Sequence, residues 1–245
     1  MPIDYVKRAV ELKYSEIGIS DHGPLPAAWA HLRMNRDEFE NIYLPGIESA
    51  RVKFENKIKI FSGLEIEYHE DFDYYYPKLL KEVDYLILGQ HISMLGNEVH
   101  DLYHFMNDET VTNYKKLVVT GLKTNCFRIL AHPDVFMYRY TAWNDLAAQV
   151  SREIIETATE NGVILEINCN GIRRGPIFNQ DGELTYIYPR IEFWRLVSEY
   201  PNAKVIIGED NHSPRLTGDE SVGLAADFAK SLGIKLTDRL FGEKR

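Results

Sequence analysis

Six short apolar runs recur along the chain, and each closes on polar side chains: Ile17-Gly-Ile-Ser-Asp-His22, Ile58-Lys-Ile-Phe-Ser-Gly-Leu-Glu65, Tyr85-Leu-Ile-Leu-Gly-Gln-His91, Phe127-Arg-Ile-Leu-Ala-His132, Val163-Ile-Leu-Glu-Ile-Asn168 and Val205-Ile-Ile-Gly-Glu-Asp210-Asn-His212. A strand buried in a parallel sheet reads as such a short, nearly continuous apolar stretch. Between the runs the apolar residues take helical spacing. The pattern predicts a first helix capped by Asp4 and running through Leu12, then helices over Tyr43 to Phe54, Asp101 to Leu122, Trp143 to Asn161, Ile191 to Glu199 and Gly223 to Ser231. Gly162 stands where a helix-ending glycine belongs, directly before Val163. Alternating helices and strands imply an α/β fold with a parallel sheet. No repeat, low-complexity linker or composition shift divides the chain, so residues 1–245 read as a single domain. A closed βα barrel starts with a strand, whereas this chain starts at a helix, and Met1-Pro2-Ile3-Asp4 is too short and polar to supply one. Six strands behind a leading helix therefore read as a barrel whose first strand is missing.

Composition narrows the class. A hydrophobic fraction of 44% and a charged fraction of 27% are those of a soluble globule. A formal net charge of −9, with no Lys/Arg stripe, argues against a nucleic-acid partner. Cys126 and Cys169 are the two cysteines, so there is no disulfide framework. No run approaches the roughly 18–20 apolar residues of a membrane helix, and no signal peptide opens the chain. A cytoplasmic protein with no membrane partner is expected.

In a βα barrel the reactive residues stand at the C-terminal ends of strands. Here five of the six runs end in His, Glu or Asp. His22, Glu65, His91, His132, Asp210 and His212 form the candidate ligand set, suited to Zn, Mn or Fe. Glu65 has two oxygens and can bridge two cations. Asp210 and His212, two apart, would share one side of an extended strand. Two metals about 3.5–4 Å apart can clamp a phosphate for in-line displacement without a protein nucleophile. No GxSxG, P-loop or GxGxxG motif offers a rival mechanism. Glu166 is either an inward structural carboxylate or a partner to a ligand histidine. His100 and His104 lack the glutamate of HExxH and read as loop or solvated residues. His31 and His69 read as surface or pocket-rim residues, Tyr74-Tyr75-Tyr76 as packing under a loop, and Cys169 as a small buried residue.

Taken in order, Ser20-Asp21-His22, Gly63-Leu64-Glu65-Ile66-Glu67-Tyr68, Gly89-Gln90-His91, Ala131-His132-Pro133-Asp134, Leu165-Glu166-Ile167-Asn168 and Gly208-Glu209-Asp210-Asn211-His212 resemble the polymerase-and-histidinol-phosphatase (PHP) family. The stretch Leu165 to Gly175 and Tyr188-Pro189 are similar to its histidinol-phosphate phosphatases. The resemblance implies a distorted (β/α)7 TIM-like barrel with up to three metal ions. Glu65, His91 and His132 would hold one, Glu65 would bridge to a second held also by Asp210, and His22 and His212 would serve a third. Glu65, Asp210 and His212 would be the catalytic members. The implied reaction is metal-dependent hydrolysis of L-histidinol phosphate, a small phosphorylated substrate, in histidine biosynthesis.

Arg139, Arg173 and Arg174 follow strand ends and offer guanidinium forks for the phosphate, and Glu67 is a candidate for the substrate ammonium. Two features depart from the family pattern. The His-x-His strand that opens the family and a further His or Asp ligand are not in this chain, so fewer than three metals are expected. The cause would be a miscalled start, a fragment or a degenerate relative. Glu209 stands where a small residue is usual. The alternatives are a PHP phosphoesterase for another small phosphate ester, such as a nucleotide or phosphotyrosyl peptide, a catalytically impaired metal-binding relative, and a metal amidohydrolase.

Overall fold

The computed structural model describes residues 1–27, 33–96 and 98–241. Ten strands are present among them: Glu16–His22 (β1), Lys59–Ile66 (β2), Tyr85–Leu88 (β3), Ile92–Leu95 (β4), Glu98–Asp101 (β5), Ile129–Leu130 (β6), Ile164–Asn168 (β7), Ile177–Phe178 (β8), Leu184–Thr185 (β9) and Lys204–Gly208 (β10). All six apolar runs become strands of one parallel sheet in the order β1-β2-β3-β6-β7-β10. β4 with β5 and β8 with β9 form two antiparallel ribbons, which the reading of six apolar runs and six helices did not include.

Both faces of the sheet are apolar, which is why its strands read as continuous rather than alternating runs. Leu86 and Leu88 of β3, Leu130 of β6 and Leu165 of β7 are fully buried in the main core, together with Val118, Leu122, Ile154 and Ala158 of the flanking helices. The alternate residues Tyr85, Ile87, Ile129 and Ile164 form a second, smaller cluster on the other face, which Leu240 completes and against which Phe61, Ile206 and Phe241 pack. The sheet thus curls around its own apolar interior as a half-barrel, with its last described residues as the filling. β1 and β10 are its edges among the described residues.

Helices form at Pro2–Glu11, Leu44–Lys53, Asp145–Glu160, Ile191–Ser198 and Glu220–Ser231, near their expected bounds. Gly162 takes φ +66° after the Asp145–Glu160 helix, as a chain reversal there requires. Two helix starts differ from expectation. Asp4 lies in the first turn of Pro2–Glu11, whose cap is Met1; with Pro2 at the first helical position, Asp4 faces the positive end of the helix instead of capping it. The helix expected from Asp101 begins at Asp108, because Asn107 and Thr110 form a reciprocal cap there and residues 98–101 pair with β4. Of the three consecutive tyrosines, Tyr76 packs on Tyr68 and Phe127, while Tyr74 is exposed. Cys169 is fully buried, as expected, and burial pushes its thiol up to about 12.

The interior plug has a measurable consequence. Leu240→Ala should lower stability by about 2–5 kcal/mol, the usual cost of truncating a buried leucine. Leu184→Ala, at a leucine that is 57% exposed, should stay within about 0.5 kcal/mol. Urea unfolding midpoints of the two variants check this; equal shifts would contradict the assignment of Leu240 to the core.

Candidate metal centre

Parallel pairing brings the ends of neighbouring strands together. His22 lies opposite Glu65 across β1 and β2, and Glu65 lies opposite Ile87 across β2 and β3. The chain then leaves β3 through Gly89 and Gln90 to His91, and leaves β6 through Ala131 to His132. Two glycines make room for carboxylates. A Cβ on Gly89 would overlap the Glu65 carboxylate, and one on Gly208 would overlap that of Glu166.

Glu65, His91 and His132 converge on one point. Glu65 Oε1 is 3.3 Å from His91 Nε2 and 3.2 Å from His132 Nε2, and the two nitrogens are 3.2 Å apart. In a tetrahedral shell with bonds of about 2.0–2.1 Å, neighbouring donor atoms stand roughly 3.3 Å apart. The triangle therefore has the dimensions of one face of such a shell. His22 joins Glu65 and His91 from the other side: one ligand atom each of His22, Glu65 and His91 lie within 4.8 Å of one another. His22 Nδ1 is buried without a hydrogen-bond partner, a lone pair or proton that no protein group satisfies. The residues present fit a divalent cation.

The electrostatics agree with a site built for positive charge. Burial opposes ionisation of Glu65, but His132, His91 and His22 hold its carboxyl well below the usual carboxylate range. Burial likewise opposes charge on His132, yet its bond to Glu65, with Glu166 and Asp210 in reach, raises it to about 9. Burial lowers His22 despite the nearby Glu65. His132 also takes φ +31°, a conformation rare outside glycine that clusters at functional sites.

A buried carboxylate orients the next imidazole. Glu67 is 0% exposed, with Oε1 2.9 Å from His91 Nδ1. A carboxylate there favours the Nδ1–H tautomer and turns the Nε2 lone pair toward Glu65 and His132. Arg33 donates to Glu67 from Nε at 3.3 Å and from Nη2. Burial works against the charge of Glu67, but His91 and Arg33 keep its carboxyl below its ordinary value. Glu67 is thus sealed behind His91, which corrects its assignment to a substrate ammonium.

Asp210 and His212 reach the same region by a different route. β10 ends at Gly208 and Asp210 has φ +45°, so the two residues do not share the side of an extended strand as their spacing suggests. His212 Nδ1 nevertheless lies 3.6 Å from Asp210 Oδ1, with the His212 side chain 69% exposed. Asp210 is tied back to His132 through two intermediates. Asn168 Nδ2 donates to Asp210 at 3.1 Å and to Glu166 at 2.9 Å, and Glu166 accepts the His132 backbone N–H at 3.0 Å. Glu166 is therefore an inward carboxylate that fixes the main chain of His132 rather than its ring, and burial pushes its carboxyl up to about 7. Asn168 also caps the short helix Cys169–Arg173. A cavity of about 840 Å³ between β1 and β10 is lined by His22, Glu65, Glu166, Asn168, Asp210 and His212, with His91 and His132 buried beside Glu65.

The three arginines part company. The Arg173 guanidinium is occupied: Nε donates to Asp219 at 2.8 Å, Nη1 to the Glu209 carbonyl at 2.7 Å and Nη2 to Asn211 at 2.7 Å. Arg139 donates to the Tyr103 carbonyl at 2.7 Å. Arg174 is exposed, over the rings of Tyr138, Tyr188 and Tyr103 at 5.3, 5.8 and 6.0 Å. Tyr103 lies against the His91 ring, and Tyr188 meets His132 edge-on. Sequence reasoning did not single out Arg33, Tyr103 or Tyr138, and no motif marks them.

His100 sits beside Glu98 and His104 beside Asp101; among the described residues neither belongs to a group of three metal-seeking side chains. His69 is partly buried and accepts from the Asp71 backbone. His31 lies outside the described residues.

A family model described as the PHP domain matches residues 2–170. A Deinococcus radiodurans protein named "Probable histidinol-phosphatase" is 21% identical over 230 residues, covering 89% of this chain and 82% of the relative. The solved histidinol phosphate phosphatase of Lactococcus lactis, complexed with zinc, L-histidinol and phosphate, superposes with TM-score 0.70 at 17% identity. The match covers 96% of this chain and 89% of that one. A chain of an archaeal ribonuclease P, solved with mature tRNA, shares the fold at TM-score 0.51 and 11% identity, covering 99% and 96% of the two chains.

The His132 proton gives the metal reading a pH signature. Below about 9 the imidazole that Glu65 stabilises carries a proton that competes with a cation, so raising the pH frees its lone pair. Apparent zinc affinity should climb from pH 6 to 8 and level off near 9, with proton release on binding. Calorimetry in buffers of different ionisation enthalpy measures both; pH-independent binding without proton release would contradict it.

Proposed function

Because this chain belongs to the PHP domain family, we propose that it is a metal-dependent phosphomonoesterase that hydrolyses L-histidinol phosphate to L-histidinol and inorganic phosphate. The observation that carries the metal chemistry is the triangle of Glu65 Oε1, His91 Nε2 and His132 Nε2, with edges of 3.2–3.3 Å. The names of the relatives support the choice of substrate. The six parallel strands are read as members of a distorted (β/α)7 barrel, and residues 1–245 as one domain acting in the cytoplasm in histidine biosynthesis. Its partner is a small phosphate ester, neither nucleic acid nor membrane; among the described residues no helix is long and apolar enough to cross a bilayer.

Each group has a distinct task. Glu65, His91 and His132 hold one cation, of Zn, Mn or Fe type. Glu65 also faces His22 and shares a cavity with Asp210 and His212, which serve further cation positions. Bound divalent cations supply polarisation of the phosphoryl group and activation of the attacking water. Glu67 keeps His91 Nε2 available as a donor, and Glu166 with Asn168 holds His132 and Asp210 in place. Arg174, exposed over Tyr103 and Tyr188, which pack on His91 and His132, and Arg139 receive the phosphate oxygens, for which a guanidinium fork is suited. Arg173 is committed to the Asp210 loop and braces it.

Phosphate release from L-histidinol phosphate, measured on protein stripped by chelator and reloaded with zinc or manganese, tests the reading. Turnover should vanish on stripping, return on reloading, and exceed that with nucleoside monophosphates or phosphotyrosine. Glu65→Gln should lose both bound metal and turnover. Equal rates on all these esters would contradict the substrate assignment, and a Glu65→Gln protein that keeps its metal would contradict the site.

A further inference from the structure

The curled sheet leaves β1 and β10 as edges facing one cavity. A side-chain hydrogen bond crosses between them. Tyr14, two residues ahead of β1, donates its hydroxyl to Glu209 Oε1 at 2.8 Å, and Glu209 directly follows the last residue of β10. The other carboxylate oxygen is also used: Oε2 accepts from Asn211 Nδ2 at 2.6 Å and from the Gly218 backbone at 2.9 Å. One carboxylate therefore joins the β1 edge, its own turn and the far end of the loop. Gly218 has φ +68°, and a Cβ there would press on Leu12 and Tyr14, so the loop closes tightly onto the segment before β1. Burial and the Glu209 carboxylate both raise the Tyr14 hydroxyl, which stays protonated as the donor. From the other flank, Arg173 grips the Glu209 carbonyl and the Asn211 side chain.

Between these ties lies Asp210 at φ +45°. Such backbone is uncommon outside glycine, although aspartate adopts it more readily than most residues, and here the ties on both sides hold it. The alternatives for Asp210 are ordinary right-handed or extended backbone, and either would redirect its carboxylate and the His212 ring that follows.

We propose that Glu209 and Tyr14 are positioning residues: their bond latches the two sheet edges and holds Asp210 and His212 at the cation site. The inference rests on the reading of Asp210 as a metal ligand. Glu209 is thus a structural member of the site, its carboxylate taken up by Tyr14, Asn211 and Gly218.

Zinc titration calorimetry on the metal-stripped full chain tests the latch, with Asp210→Asn defining the binding step that depends on the loop. Glu209→Ala should weaken that step about 10–100-fold, as loss of an outer partner does. Tyr14→Phe should weaken it in the same direction. Adding Tyr14→Phe to Glu209→Ala should change nothing further, because both break one bond. Glu209→Gln keeps an acceptor for Tyr14 but sets an amide NH2 against the Asn211 and Gly218 donors, so its affinity should fall between the parent and Glu209→Ala. A bond that merely stabilised the fold would lower the melting temperature of Tyr14→Phe and leave zinc binding at the parental value, and that result overturns the proposal. Multiplicative effects of the two substitutions overturn it as well, and so does an Asp210→Asn protein that binds zinc as the parent does. The readout is binding, so a parent protein that fails to hydrolyse L-histidinol phosphate would refute the substrate reading and leave the latch intact.

Discussion

A carboxylate largely removed from water must be compensated, and Glu65 is the group around which this fold is arranged. Leaving such a charge unpaired would cost several kcal/mol. The compensation comes from three imidazoles on three other chain segments, His22 at the end of β1, His91 after β3 and His132 after β6. Only a parallel sheet delivers those segments to one end of the molecule, and only a glycine at position 89 leaves space for the carboxylate. Below about 9 a proton on His132 helps to satisfy Glu65. A divalent cation would take its place and satisfy all the donors at once, which is the physical basis of the metal reading.

The remaining polar groups keep that arrangement rigid. Glu67, paired with the partly buried Arg33, stands behind His91, so the ring cannot rotate without breaking its bond to Glu67. Glu166, given room by Gly208, fixes the His132 backbone and reaches Asp210 through Asn168. His132 and Asp210 both carry left-handed backbone, and both are held from several sides. Each carboxylate thus has a distinct duty set by burial and partner: Glu65 meets donors on every side, Glu67 orients a ring, Glu166 fixes a main chain, and Glu209 ties a loop.

The strand ends were legible from sequence because a strand in a two-faced parallel sheet announces itself as an apolar run, and the metal-seeking residues stand at its end. His22, Glu65, His91 and His132 were accordingly read in place, and the motif order carried the family. What stayed hidden depends on partners far along the chain. Glu67 reads as a free carboxylate until Arg33 and His91 enclose it. Arg173 reads as a phosphate fork until Asp219 and the Asp210 loop occupy it. The same-side rule for Asp210 and His212 fails because the strand stops at Gly208, and no local propensity records that stop. The helix expected from Asp101 starts only at Asp108, where Asn107 caps it, and no sequence signal marks the β4–β5 ribbon before it.

The central claim is that separate strand ends share a cation. Anomalous diffraction from crystals grown with zinc, recorded on either side of the zinc absorption edge, addresses it directly. The account predicts a peak bonded to Glu65, His91 and His132 at about 2.0–2.2 Å, with any further peak beside His22, Asp210 or His212. Zinc absent from that triangle, or found only on surface residues such as His104, would contradict it.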